Sequence, residues 1–340
     1  MFRQGCVQAS LLTNIFLHST MQKYSIHYLI LAIALTLSFT ACSNGDNRGG
    51  RTDTPTSGTI QFVADESLAP IIEELREQFE FEYPQAHLEP LYIDETAAMD
   101  SINKLKSCLY ITSRALTQQE TAYLKTLKQL PEVFPIGYDG LAFISNLSNP
   151  DTCITVNDIK RILTGEVTKW SELNPSSTKG DIEVVFDNKL SATLRYVVDS
   201  IMEGRQIESP NIVAAKTSKE VVEYVDQTPN AIGVIGSNWL NDRRDSTNTT
   251  FRKNIHVMSV STQEKATWEN SWKPYQAYLL DGRYPFARTI YCILVDPQRA
   301  LPYSFANWIA KPKGQLIIFK AGLLPYRGDI TFKRVSVKTQ

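Results

Sequence analysis

Three short stretches carry residue types suited to holding an oxyanion. In "VADESLAP", Ser67 follows the apolar run "TIQFVA". In "CLYITSR", Thr112, Ser113 and Arg114 follow "CLYI". In "VVFDNKLSATLRYV", Ser191, Ala192 and Thr193 follow "IEVVF", and Arg195 stands one turn further on. Each is a hydroxyl-bearing turn between a strand-like and a helix-like run. The first turn of a helix has unpaired backbone N–H groups and the positive end of the dipole, so such a turn serves either as an ordinary cap or as a cradle for an anion. All three lie at the carboxyl ends of strands, where open α/β sheets bind their ligands.

The runs that flank these turns set their positions. "SLAPIIEELREQFEFEYP" puts Leu68, Ile71, Ile72, Leu75 and Phe79 on one helical face, and Leu194, Val197, Val198, Ile201 and Met202 do the same for a helix opening at Ser191. A third helix is predicted from Thr117 to Leu130, opened by the capping box Thr117 and Glu120. Strand-like runs "TIQFVA", "HLEPLYI", "CLYIT", "IEVVF", "AIGVIG" and "RTIYCILVD" alternate with helices, which implies βαβ units and a largely parallel sheet. "VFPIGYDGLAFISN" is long enough for two strands or for one strand that crosses between domains; within it Asp139-Gly140 reads as a turn, and Trp170 beyond it as a packing anchor. The expected architecture is α/β with two lobes, residues 58–138 with 245–340 and residues 139–244. Each lobe is a mainly parallel sheet flanked by helices, and any ligand lies in the cleft between them.

The chain has 340 residues, 43% hydrophobic and 21% charged, with a formal net charge of -1. That balance gives no bulk attraction to a polyanion, and no basic stripe with interleaved aromatics appears, so nucleic acid is excluded as a partner. At the N-terminus, "YLILAIALTLSFTAC" follows Lys23 and is shorter than the roughly 20 apolar residues of a membrane span. It reads as a secretory signal over residues 1–41, with "FTAC" resembling a bacterial lipobox that would leave Cys42 as a lipid-modified N-terminus, or as a plain signal cleaved nearby. Met21 is a better-placed start than Met1. Residues 42–57 are a polar tether, and the folded domain is expected to begin near Gly58. Cys108, Cys153 and Cys292 make no metal spacing; they suit one disulfide or three buried thiols.

Taken together, "ITSRALTQQE", "YDGLAFISNLSNP", "ITVNDIKRILTGEVTKWSEL", "SATLRYV" and "NAIGVIG" resemble the periplasmic phosphate-binding proteins of ABC transporters, in their lipoprotein branch, from about Gly58 to Arg327. The resemblance implies a type II periplasmic-binding-protein fold, capture of inorganic phosphate, a permease partner and an extracytoplasmic location held by lipid at Cys42. It implies that Ser67, Ser113, Ser191, Thr193 and the amide of Ala192 ligate the phosphate oxygens, with Glu66, Thr112, Arg114 and Arg195 beside them. Two departures stand out. Many relatives have an Arg a few residues before a Ser-Gly-Thr loop; this chain has Asp187 and Asn188 there, and Ala192 replaces the Gly. The carboxylate that would accept the proton of phosphate, and so reject sulfate, is expected at Glu66, with Glu95 and Asp187 as alternatives.

Other classes fit less well. A hydrolase built on Ser113 or Ser191 needs a base, and His18, His27, His87 and His256 belong to no relay motif. No cofactor fingerprint or metal motif appears. A binder of sulfate or molybdate, or an adhesion or sensor module on the same fold, differs from a phosphate binder only in the details of the site.

Overall fold

The computed structural model describes residues 51–241 and 251–328. Cys42, the signal segment and tether residues 43–50 lie outside the described residues. The strands are β1 (Ser57–Asp65), β2 (Gln85–Ile93), β3 (Leu109–Thr112), β4 (Glu132–Asn146), β5 (Cys153–Thr155), β6 (Glu183–Phe186), β7 (Ile212–Ala214), β8 (Ala231–Gly236), β9 (Ile255–Val257), β10 (Ser259–Ser261), β11 (Ala287–Leu294) and β12 (Leu324–Pro325). The helices are α1 (Ala69–Glu82), α2 (Glu95–Asn103), α3 (Gln118–Thr126), α4 (Val156–Leu163), α5 (Trp170–Leu173), α6 (Ala192–Tyr196), α7 (Ser218–Gln227), α8 (Gln276–Leu280), α9 (Leu301–Ile309) and α10 (Pro312–Lys320).

One sheet runs in the order β2-β1-β3-β11-β4-β8-β6-β7, with β9 and β12 also paired to β4. The βαβ units give parallel pairs, β1 with β2 and β3, and β6 with β7 and β8, while β11 and β4 run antiparallel to their neighbours. From Asp53 onward the chain forms one compact unit. It carries two main apolar clusters. In the first half, Phe79 of α1 meets Phe305 and Trp308 of α9 edge to face at 5.1 and 5.6 Å. In the second half, Phe143, Val184 and Phe186 pack with Trp170, Tyr284 and Phe286. Trp170 is a buried anchor as its sequence context suggests, and its Nε1 donates to the Asn230 carbonyl at 2.9 Å.

Several expectations are corrected. The run from Glu132 to Asn146 is one strand, and Asp139-Gly140 lies inside it rather than in a turn, because Asp139 pairs in register with Arg288 of β11. Residues 255–286, expected in the first lobe, pack with the second half: β9 pairs with β4, and Tyr284 and Phe286 join the second cluster. The ordered body starts before Gly58, since buried Asp53 accepts the Leu301 N–H that opens α9, at 3.0 Å. The helix opening at Ser191 is α-helical only to Tyr196. It then widens into a π-helical turn over Val197–Ile201, where the Met202 N–H reaches back to the Val197 carbonyl at 2.8 Å. Cys108, Cys153 and Cys292 form no disulfide. Among the described residues no helix is long and apolar enough to cross a membrane.

The middle of β4 and the end of β8 crowd a buried ion pair, Asp139 with Arg288. Gly236 closes β8 against it. A Cβ there would sit 2.5 Å from Asp139 Oδ2 and 2.7 Å from Arg288 Nη2. Gly236→Ala is therefore expected to lower unfolding stability by about 1–3 kcal/mol, the range for overpacking a filled interior, in urea denaturation. A variant as stable as the parent would show that the ion pair can give way.

Candidate functional site

The first turn is built by Asp65, which ends β1 and caps the 3-10 turn Glu66–Leu68. Its Oδ1 accepts the Ser67 backbone N–H at 3.0 Å and the Ser67 hydroxyl at 2.9 Å. Its Oδ2 accepts the Ser113 hydroxyl at 2.9 Å, from the end of β3. The two serines singled out in the sequence are thus tied together by a carboxylate the sequence reading passed over. In the third turn, Ser191 caps α6 by accepting the Leu194 N–H at 3.1 Å, while Ala192 and Thr193 are buried on the first turn of that helix. Thr193 lies beside the Asp187 carboxylate, and its Oγ1 is buried with no hydrogen-bond partner.

A second overlooked residue is Arg288. It is 2% exposed and donates Nε and Nη2 to Asp139 Oδ2 at 3.0 and 2.8 Å. Asp139 Oδ1 takes the Ser237 hydroxyl at 2.8 Å and the Asn238 N–H at 3.2 Å. Arg288 Nη1 is left buried and without a partner, and the guanidinium also interacts through space with Asp65 and Asp187. A buried cation with an unused donor is where a polar site costs most to leave unfilled.

The remaining sequence candidates are engaged elsewhere. Arg114 forks onto Glu120 at 2.8 and 2.7 Å, because Glu120 stands in the first turn of α3 within its reach. Arg195 binds Glu95 through Nε, and through Nη2 at 3.1 Å, and also meets Asp199. Glu95 is 3% exposed and lies 3.3 Å from the Ser113 hydroxyl, so it neutralises a cation and is not an open proton acceptor. Glu66 accepts the Ser218 N–H and hydroxyl, 3.2 and 2.9 Å, capping α7 of the other half, and its carboxylate is spent there. The Thr112 hydroxyl donates to the Arg114 carbonyl at 2.8 Å. Asp187 keeps its place beside Thr193 and accepts the Asn188 N–H at 3.0 Å. Among the described residues no group of His, Cys, Asp or Glu is arranged to hold a metal ion.

A family model for the PBP superfamily domain matches residues 49–313. The chain belongs to that superfamily. Its curled sheet flanked by helices is the type II periplasmic-binding-protein fold. The Borreliella burgdorferi phosphate-binding protein PstS is 24% identical over 244 residues, covering 68% of this chain and 78% of the relative. The PstS of Staphylococcus haemolyticus is 20% identical, covering 74% and 76%. Among solved structures, an ABC-type phosphate transport receptor from Vibrio cholerae superposes with a TM-score of 0.57 at 20% identity, covering 79% of this chain and all of that one. A Clostridium perfringens protein assigned as a phosphate ABC transporter substrate-binding protein, with phosphate bound, gives 0.65 at 22%, with the same coverage.

In this member of the superfamily, burial pushes the Asp65 carboxyl up to about 6, against the pull of Arg288 and with a further push from Glu95. Burial likewise raises Glu66 to about 7 against its bonds from Ser218, and raises Asp187 against its hydroxyl neighbours. The folded chain thus holds protons that the unfolded chain has released, so stability falls as pH rises from about 4 through about 6 at Asp65 and about 7 at Glu66. Asp65 accounts for on the order of 3 kcal/mol of this trend. The ligand-free protein should melt higher at about pH 5 than at about pH 7.5, and Glu66→Gln should remove more of the difference than Asp65→Asn, because Glu66 stays protonated over more of that window. A parent that melts higher at the more alkaline value would contradict the enclosure of these acids.

Proposed function

We propose that this protein is an extracytoplasmic substrate-binding lipoprotein that captures inorganic phosphate for an ABC transporter permease. The observation that carries the reading is a pair of unpartnered buried donors, Arg288 Nη1 and Thr193 Oγ1, with the guanidinium acting through space on Asp65 and on Asp187, beside which Ser191 and Thr193 lie. Relatives named for phosphate binding support the choice of anion. The protein acts by binding rather than by catalysis. The two halves act as lobes, residues 58–138 and 245–340 against 139–244 with the 255–286 stretch moving with the latter, and close on the anion by bending at β4 and β8. Glu66 with Ser218 and Glu95 with Arg195 join the halves across that cleft.

Isothermal calorimetry with phosphate, sulfate and molybdate tests the ligand: phosphate should bind and the other two should not compete. Thr193→Ala should weaken phosphate binding by about 1.5–3 kcal/mol, the worth of a hydrogen bond to a charged group, and should lower ligand-free stability by about 1 kcal/mol because a buried methyl is lost with the hydroxyl. Ser191→Ala should likewise cost about 1 kcal/mol of stability, through the lost helix cap. Phosphate affinity equal to the parent's in Thr193→Ala would remove Thr193 from the ligand set. For the anchor, Cys42→Ala should move the protein from the membrane to the soluble fraction, since acyl chains on Cys42 supply the attachment. A variant that still sediments with membranes would refute the lipid at that residue.

A further inference from the structure

Arg195 sits on α6 of the second half, one turn beyond Ser191, and its partner belongs to the first half: Glu95, the residue that opens α2. The contact is a fork. Nε donates to Glu95 Oε1 and Nη2 to Oε2 at 3.1 Å, while Nη2 also stands 3.5 Å from the Ser113 carbonyl just past β3. Beside the fork, the Thr96 hydroxyl donates to the Leu190 carbonyl at 3.4 Å. One guanidinium thus ties the turn at Ser191 to the turn at Ser113 and to the start of α2.

Helix stability does not account for an Arg at this place. The opening of α6 is the positive end of its dipole, which disfavours a cation, whereas Glu95 suits the opening of α2. The pair serves the contact between the halves. It is also built to come apart, because each partner has a second counter-charge in its own half. Arg195 Nη1 is 3.2 Å from Asp199 Oδ2, and Glu95 Oε1 is 3.6 Å from Arg114 Nε. Breaking a buried ion pair costs most when it leaves a charge uncompensated. Parting the halves here leaves none: the Glu95 side chain, 5% exposed, keeps Arg114, and Arg195 keeps Asp199.

We infer that Arg195 is a positioning residue that straps the two halves together through Glu95, with or without an anion between them, and so sets how long a captured phosphate is held. The inference rests on the phosphate and closure readings above and adds the residue pair that governs release. Since both charges pass to neighbours when the cleft opens, the strap slows opening without preventing it, and it re-forms at each closure.

The test uses the full chain and the double variant Arg195→Gln with Glu95→Gln, which removes the strap at constant net charge and is checked as folded by circular dichroism. Radiolabelled inorganic phosphate is bound and chased with excess unlabelled phosphate, and Kd from calorimetry then yields the association rate. The double variant should release phosphate on the order of tenfold faster, the lower end of what a hydrogen bond between charged groups is worth, with association no slower than the parent's. Arg195→Lys, which keeps the charge and loses the fork, should fall between the two. Raising sodium chloride from about 0.05 to 0.5 M should speed release from the parent and leave that from the double variant unchanged, a dependence that a purely structural role would not produce. Small-angle scattering reads the strap apart from the ligand: the free double variant should have the larger radius of gyration. A double variant that releases phosphate at the parent's rate, or that scatters as the parent does when free, overturns the strap and leaves the phosphate reading standing. A parent that binds no phosphate removes the phosphate reading, and the strap then stands or falls on the scattering alone.

Discussion

The ion pair of Asp139 and Arg288 is the constraint around which the rest of the site is arranged. Both side chains are almost fully enclosed. A buried charge is tolerated only when its partner and its remaining hydrogen bonds are supplied, and Asp139 has them all: Arg288, Ser237 and Asn238. Asn238 then passes the connection on, donating to the Ser67 carbonyl at 2.9 Å beside the same bond from Trp239. Gly236 has to lack a side chain to make room. Such a pair adds little to stability compared with an apolar replacement, while loss of one partner costs about 3–5 kcal/mol. Its presence therefore has a reason other than stability, and the unused Nη1 of Arg288 supplies one.

Much of the fold was legible because hydrophobic period and turn chemistry agree along most of the chain. The faces of α1 and α7 and the capping box of α3 follow directly from spacing. What failed was reading of parity and of length. In "ARTIYCIL" the buried residues alternate as Arg288, Ile290 and Cys292, so a strict two-residue period places the Arg inward with the apolar side chains. That signal was present and went unused. Asp139-Gly140 looked like a turn because the pair favours turns locally, whereas its partner lies 149 residues away and only the sheet brings them together. Asp65 was missed by one position: Glu66 carries the same charge but points to the cap of α7.

The charges before the third loop fit together only in the folded chain. Asp187 stands there, and the cation that acts on it comes from β11. That pairing is invisible to any reading that takes loops one at a time, because the two residues are 101 positions apart, from Asp187 to Arg288 (288 − 187).

Arg288 sits on β11 and its partner on β4, the two antiparallel strands at the middle of the sheet. Those strands border both halves of the molecule, whereas Thr193, Ser191 and Asp187 ride on the second half and Ser67 and Ser113 on the first. In the proposed binding cycle a rotation of the halves about this seam would rearrange the hydroxyls and carboxylates but leave the guanidinium where it is. An arriving anion would then meet the same counter-charge before and after closure, and the moving parts would decide only how long it stays.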